Sequence, residues 1–193
     1  MKFLFTAMMA VLVYSSCNSP YTPRPKGYYK IPFPPKAYKV FDEPGYPYSF
    51  EYPVYAQISK DTSFFGEAPE NPWWVNIDFP QFHGKLYVSY KSVGNYKLDK
   101  LVADAFNMTG KHTVKASSID DSLMVTPNQI HGIFFKVGGD VATANQFFLT
   151  DSTRHFLRGS LYFDATPNQD SLAPVNAFLT EDMRHMINTF RWK

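Results

Sequence analysis

Asn95-Tyr96-Lys97-Leu98-Asp99-Lys100-Leu101-Val102-Ala103-Asp104-Ala105-Phe106-Asn107-Met108-Thr109-Gly110 is the one stretch in mid-chain with an unambiguous helical period. Leu98, Leu101, Val102, Ala105, Phe106 and Thr109 recur at spacings of three and four, so they share one face of a 3.6-residue helix. Lys97, Asp99, Lys100 and Asp104 take the opposite, hydrated face. Asn95 is the expected cap, because its side chain can accept a hydrogen bond from the free amides of a first turn. Gly110 is expected to end or loosen the helix.

On both sides the period changes to two. Upstream, Tyr48, Phe50, Tyr52, Val54, Ala56 and Ile58 alternate with Ser49, Glu51 and Gln57. Pro53, which cannot donate to a ladder, predicts an edge strand or a bulge there. Trp73, Val75, Ile77 and Phe79 form a second run, with one indole of Trp73-Trp74 on each strand face. Leu86, Val88 and Tyr90 form a third, and the two predict a hairpin with its loop near Pro80 to Gly84. Downstream come four more strand-like runs: Ser122 to Thr126, Gln129 to Val137, Gln146 to Thr150, and His155 to Phe163. Turn signals at Pro127-Asn128, Gly138-Gly139-Asp140 and Asp151-Ser152 separate them, and such short connections favour antiparallel pairing. A second helix closes the chain, expected over Thr180 to Phe190. Thr180 serves as cap, Glu181 and Asp182 lie in the first turn, and Met183, Met186, Ile187 and Phe190 form the buried stripe.

Strands, helix, strands, helix is the order of an α+β fold: an antiparallel sheet of about six to seven strands flanked by helices. This element order resembles the sandwich of the Mog1 and photosystem P-protein (PsbP-like) group, a likeness of order alone, and fold does not fix function.

The N-terminal end reads as targeting. Lys2 is a positive n-region and Phe3 to Val13 an uncharged h-region, shorter than the roughly 20 apolar residues a bilayer span needs. Val13-Tyr14-Ser15-Ser16-Cys17 then places small residues before the only cysteine of the 193 residues. A lone cysteine in an exported chain makes no internal disulfide. Residues 1–16 are therefore expected to be a lipoprotein signal peptide, removed to leave Cys17 as the acylated anchor in the lipid bilayer. Tyr14 departs from the aliphatic residue usual three places before such a cysteine. Two or three acyl chains hold firmly where one does not, at about 0.8 kcal/mol per buried CH₂.

Residues 17–35 read as a basic, Pro-rich tether. Six prolines (Pro20, Pro23, Pro25, Pro32, Pro34 and Pro35) predict an extended chain reaching roughly 50 Å at about 3.1 Å per residue. The interleaved Tyr21, Tyr28, Tyr29 and Phe33 suit a stretch that lies partly on a surface. Arg24, Lys26, Lys30, Lys36 and Lys39 all precede the first acidic residue, Asp42. They read equally as an arm for anionic head groups, at about 1 kcal/mol per charge, and as a solvated linker. Residues 36–193 are expected to form a single α+β domain.

The residues supply no catalytic set. Gly159-Ser160-Leu161 lacks the glycine flanks of a nucleophile elbow, no phosphate loop occurs, and the one thiol is committed to acylation. His83, His112, His131, His155 and His185 are scattered. Glu181 and His185, four apart, read as a surface ion pair rather than metal ligands. Asp120-Asp121 reads as a solvated turn. No metal, cofactor or nucleic-acid partner is expected, and the near balance of basic and acidic residues gives no basic footprint. Trp73 and Trp74 are the candidate ligand or partner contacts, one expected in the core and the other available.

Several stretches together resemble the gliding motility lipoprotein family GldD of the Bacteroidota. They are Cys17-Asn18-Ser19-Pro20-Tyr21-Thr22-Pro23-Arg24-Pro25-Lys26-Gly27-Tyr28, Tyr48-Ser49-Phe50-Glu51-Tyr52-Pro53-Val54-Tyr55, Trp73-Trp74-Val75-Asn76-Ile77, His155-Phe156-Leu157-Arg158-Gly159-Ser160-Leu161-Tyr162-Phe163, and Asp170-Ser171-Leu172-Ala173-Pro174-Val175. The resemblance implies a non-enzymatic, membrane-anchored part of an envelope-spanning gliding machine and its linked secretion system. Of functional residues only Cys17 carries over. Other gliding or secretion proteins are the implied partners. Surface-exposed lipoproteins of that phylum tend to be acidic after the cysteine, so the basic arm implies a periplasm-facing position, with inner and outer membrane both open. The alternative is an envelope lipoprotein binding a lipid or glycan in a pocket between sheet and helices.

Overall fold

The computed structural model describes residues 27, 30–61 and 69–193, and Pro32–Lys193 form one compact unit. Cys17, the expected signal peptide and most of the expected tether lie outside the described residues. Within the unit, β1 (Tyr38–Phe41), β2 (Tyr48–Pro53) and β10 (Arg191–Trp192) make a small sheet of order β1-β2-β10. The main sheet is antiparallel throughout, of order β3-β4-β5-β9-β8-β7-β6. Its strands are β3 (Gln57–Lys60), β4 (Val75–Phe79), β5 (Gly84–Ser92), β6 (Ala116–Val125), β7 (His131–Gly139), β8 (Asn145–Thr150) and β9 (His155–Phe163). Two helices accompany them, α1 (Leu98–Gly110) and α2 (Gln169–Thr189). The fold is the α+β arrangement that the patterning predicts.

Two hairpin series meet at the sheet centre, where β5 and β9 pair over nine residues from Gly84↔Phe163 to Ser92↔His155. After β5, α1 carries the chain across one sheet face to the far edge. There β6 begins a meander back to β9. The apolar stripe of α1 (Leu101 and Ala105, flanked by Leu98 and Val102) packs on Ile133, Phe135, Phe148 and Phe156. Alternation sends Phe134, Phe147, Leu149, Leu157, Leu161 and Leu86 to the opposite face. There α2 offers Val175, Leu179, Met183, Met186 and Ile187, and the small sheet adds Tyr48 and Phe50.

Two close approaches hold this second face together. A Cβ on Gly159 would stand 2.3 Å from the Phe147 ring, and one on Gly132 would stand 2.2 Å from the Phe148 carbonyl oxygen. Both strands need glycine there for the backbone to come this near its neighbour.

Five expectations are corrected. The run from Tyr48 to Ile58 is two strands in different sheets, because the chain turns after Pro53, where the Ala56 amide donates to the Pro53 carbonyl. β2 is also central in its sheet rather than an edge. Pro53 is tolerated because β10 pairs only with Tyr48 and Ser49, leaving Pro53 with no donor to supply on that side. Lys97, not Asn95, holds the N-cap position of α1, with no side-chain cap; Val93–Asn95 form a 3-10 turn. Asp120-Asp121 lie in the middle of β6. Finally, α2 begins at Gln169, capped by Asn168, whose side chain accepts from the Ser171 amide. Thr180 is mid-helix, its hydroxyl bonded to the Asn176 carbonyl. Pro174 stays inside the second turn of α2, where it removes only one ladder bond near the helix end.

Candidate functional site: a clasp on the closing helix

Asp182 is the deepest charge among the described residues, its side chain 1% exposed. A carboxylate there is stable only if its oxygens are satisfied and its charge is paired. The Oδ1 atom accepts from Lys36 Nζ at 2.8 Å and from the Tyr38 hydroxyl at 3.0 Å, and Oδ2 accepts from the Tyr55 hydroxyl. Lys36 Nζ also donates to the Phe178 carbonyl at 2.7 Å, lies 3.4 Å from the Phe178 ring centroid, and reaches Glu181 at 3.7 Å. Phe178 sits one helical turn before Asp182, so a single face of α2 presents a ring, a carbonyl and a carboxylate to one ammonium group.

Residues on either side extend the contact. Phe33 stacks on Phe178 at 4.5 Å and also meets Phe82, while Gln81 donates to the Pro32 carbonyl. Tyr38 stacks on His185 at 3.5 Å, and His185 Nε2 meets Glu51 Oε2 at 2.7 Å. The expected Glu181–His185 pair is thus replaced by two others, Glu181 with Lys36 and His185 with Glu51. Burial, then the bond to Asp182, pushes the Tyr38 phenol up to about 12. The same causes in the same order push Tyr55 higher still. Both phenols are therefore fixed donors at neutral pH, not acids. Chemically the arrangement is a fastening. It ties residues 32–38, where the chain enters the unit, to the helix that closes it.

The second cluster surrounds the expected tryptophans. Trp74 is buried and its indole N–H donates to the Tyr90 carbonyl at 2.8 Å. Trp73 is half-buried, its ring edge-on to Tyr90 at 5.4 Å, and its N–H donates to the Gly45 carbonyl at 2.8 Å. Both lie just before β4 rather than within it, and both are brought to the same residue, Tyr90. The Tyr90 hydroxyl meets His155 Nδ1 at 2.6 Å, and His155 stacks on Trp192 at 4.9 Å. Desolvation holds the His155 imidazole below its ordinary range, partly offset by Asp151. Trp192 in turn closes against Phe190. Sequence reasoning missed Trp192 and His155 as members of this cluster, since Trp192 lies in a strand of two residues and the run that makes β9 says nothing of His155's distant partner Tyr90.

The gap between α2 and the sheet, bordered by Tyr52, Ile77, Phe79, Leu86, Met183 and Met186, measures about 10 Å³. An open hollow of about 570 Å³ lies at the start of α2 between Lys115, Ser117, Gly139, Asp140, Gln169 and Asp170. Asp140 already caps that helix start, accepting from the Gln169 amide at 2.7 Å. Among the described residues, no group of three or more His, Cys, Asp or Glu side chains is placed to hold a metal ion. No described helix is long and apolar enough to cross a membrane.

Among solved structures, the chain is similar to the solution structure of cyanobacterial PsbP (CyanoP) from Synechocystis sp. PCC 6803. The two share 12% sequence identity at a TM-score of 0.49, over 83% of this chain and 95% of that one. Comparison with curated proteins finds no match. The sequence profile described as gliding motility lipoprotein GldD matches residues 18–192, nearly the whole chain. This protein therefore belongs to the gliding motility lipoprotein GldD family.

Proposed function

We propose that the chain is a periplasm-facing, non-catalytic component of the gliding motility machinery and its linked secretion system, held in the membrane through acylated Cys17 and docking on other envelope proteins. The observation that carries the docking role is the clasp. A lipid anchor followed by a tether is useful to a protein–protein machine only if the domain withstands being held by that end. Lys36 and Phe33 fasten the entering chain to α2, so pull on the N-terminal side is delivered to a helix whose stripe is buried across the sheet. The arrangement suits a tethered part.

The ligand-binding alternative has little to work with between α2 and the sheet, where a gap of about 10 Å³ is at the limit of holding one water. The test is photo-crosslinking in gliding cells from residues placed on the exposed surface, followed by identification of what is joined. Envelope proteins of the motility or secretion apparatus are the expected products. Recovery of none from any surface position would remove the docking role.

A further inference from the structure

The two edges of the main sheet differ in a way that core packing does not explain. At one edge β3 is four residues long and ends in Lys60. At the other, β6 is ten residues long, contains neither proline nor lysine, and has no described strand on its outer side. Its one irregularity lies at the Ala116/Ser118 end, so residues 118–125 run as a regular ladder against β7. A long regular edge presents a row of backbone donors and acceptors that a further strand would satisfy, and proteins ordinarily blunt such edges.

The side chains on β6 point the same way. Leu123 is 88% and Val125 60% exposed, and Leu123 stands opposite Ile133, which belongs to the core beneath α1. Phe106, 41% exposed, packs edge-on against Phe135, the partner of Asp121. The apolar layer under α1 therefore runs out to the sheet edge and stops uncovered. The only charges on β6 are Asp120 and Asp121, adjacent and on opposite faces at the centre of the strand.

We infer that the outer edge of β6 is a docking site for an extended segment of a partner protein, added as an antiparallel or parallel strand, with basic side chains opposite Asp120 and Asp121 and an apolar side chain beside Leu123. The assignment rests on the docking role proposed above and names where that docking occurs. A second copy of this chain fits less well. The antiparallel register that pairs all of β6 with itself sets Asp120 against Asp121 of the other copy twice over, and like charges directly opposite are destabilising. Backbone bonds supply affinity in such strand addition, and alternate side chains supply selectivity.

The test uses the full chain purified in detergent micelles and a labelled ten-residue synthetic peptide matched to β6, with two adjacent central lysines among valine and threonine. A control peptide carries glutamates at those two positions. Fluorescence anisotropy is expected to give saturable binding of the lysine peptide and at least about tenfold weaker binding of the glutamate peptide. Asp120→Lys with Asp121→Lys, both at exposed positions, is expected to reverse that preference. Leu123→Lys is expected to weaken the lysine peptide at unchanged thermal stability. Binding of neither peptide, or equal binding of both, overturns the proposal. So does concentration-dependent dimerisation abolished by Leu123→Lys, which would assign the edge to a second copy. Those failures leave the gliding role to be judged by motility itself.

Discussion

Replacing Lys36 by methionine keeps the aliphatic stem against Phe178 and removes only the ammonium. Asp182, 1% exposed, is then left with two phenol donors and no charge partner. Breaking a buried pair from one side costs about 3–5 kcal/mol. Lys36 is itself 26% exposed and the phenols remain, so the lower part of that range is discounted to about 2–3 kcal/mol. For a chain of this size each kcal/mol shifts Tm by about 2–4 °C, giving a fall of about 4–12 °C. The assay is a double-mutant cycle by chemical denaturation over wild type, Lys36→Met, Asp182→Asn and the double variant. The double variant is expected to lose less than the sum of the singles by about 1–2 kcal/mol, because the two changes remove one interaction. A Lys36→Met cost below about 0.5 kcal/mol, or singles that simply add, would refute the clasp as a coupled unit.

Three other outcomes are expected. Gly159→Ala places a methyl 2.3 Å from the buried Phe147 ring and should cost about 2–3 kcal/mol in denaturant unfolding, whereas Gly27→Ala meets nothing within 4 Å and should cost almost nothing. Stability should fall as pH is lowered below about 6.5, because His155 and His112 are held below that value in the folded chain by burial, with Arg158 adding to the effect at His112. The unfolded chain then binds protons that the native state refuses, so this stability is complete above the unfolded pKa and is lost as pH falls towards the folded one. His155→Gln should flatten that slope, and an unchanged pH profile would contradict it. Phe33→Ala should raise hydrogen exchange in residues 32–38 and across Phe178 to Asp182 while leaving β7 and β8 protected, since among the described residues the Phe33 ring packs on the rings of Phe82 and Phe178.

What the sequence made legible follows from how local each signal is. The α1 stripe, the β4–β5 hairpin and the runs that became β7, β8 and β9 are all set by contacts that recur every two or every three to four residues. Such periods appear in any short window. The start of β6 was hidden because Ser117, Ser118, Asp120 and Asp121 carry no apolar alternation on an exposed edge. The first turns of α2 were hidden by Pro174, and β1 and β10 are too short to show a period. The clasp was not legible at all. Asp182 finds its three side-chain partners 127, 144 and 146 residues away, and nothing local distinguishes a buried aspartate from one in a solvated first turn. A partial hint lay in Phe33 and Lys36, an aromatic and a cation at the end of a proline-rich segment that had no core of its own to join. The tryptophans were singled out by residue type, but it is the non-local carbonyls of Gly45 and Tyr90 that occupy the indole N–H groups of Trp73 and Trp74.

The most direct measurement is single-cell gliding speed in a strain lacking this chain, complemented with wild type or with Cys17→Ala. The account predicts that deletion stops gliding, that wild type restores it, and that Cys17→Ala does not while its folded domain is still made. Normal gliding by the deletion strain would contradict the motility role, and full rescue by Cys17→Ala would contradict the anchor.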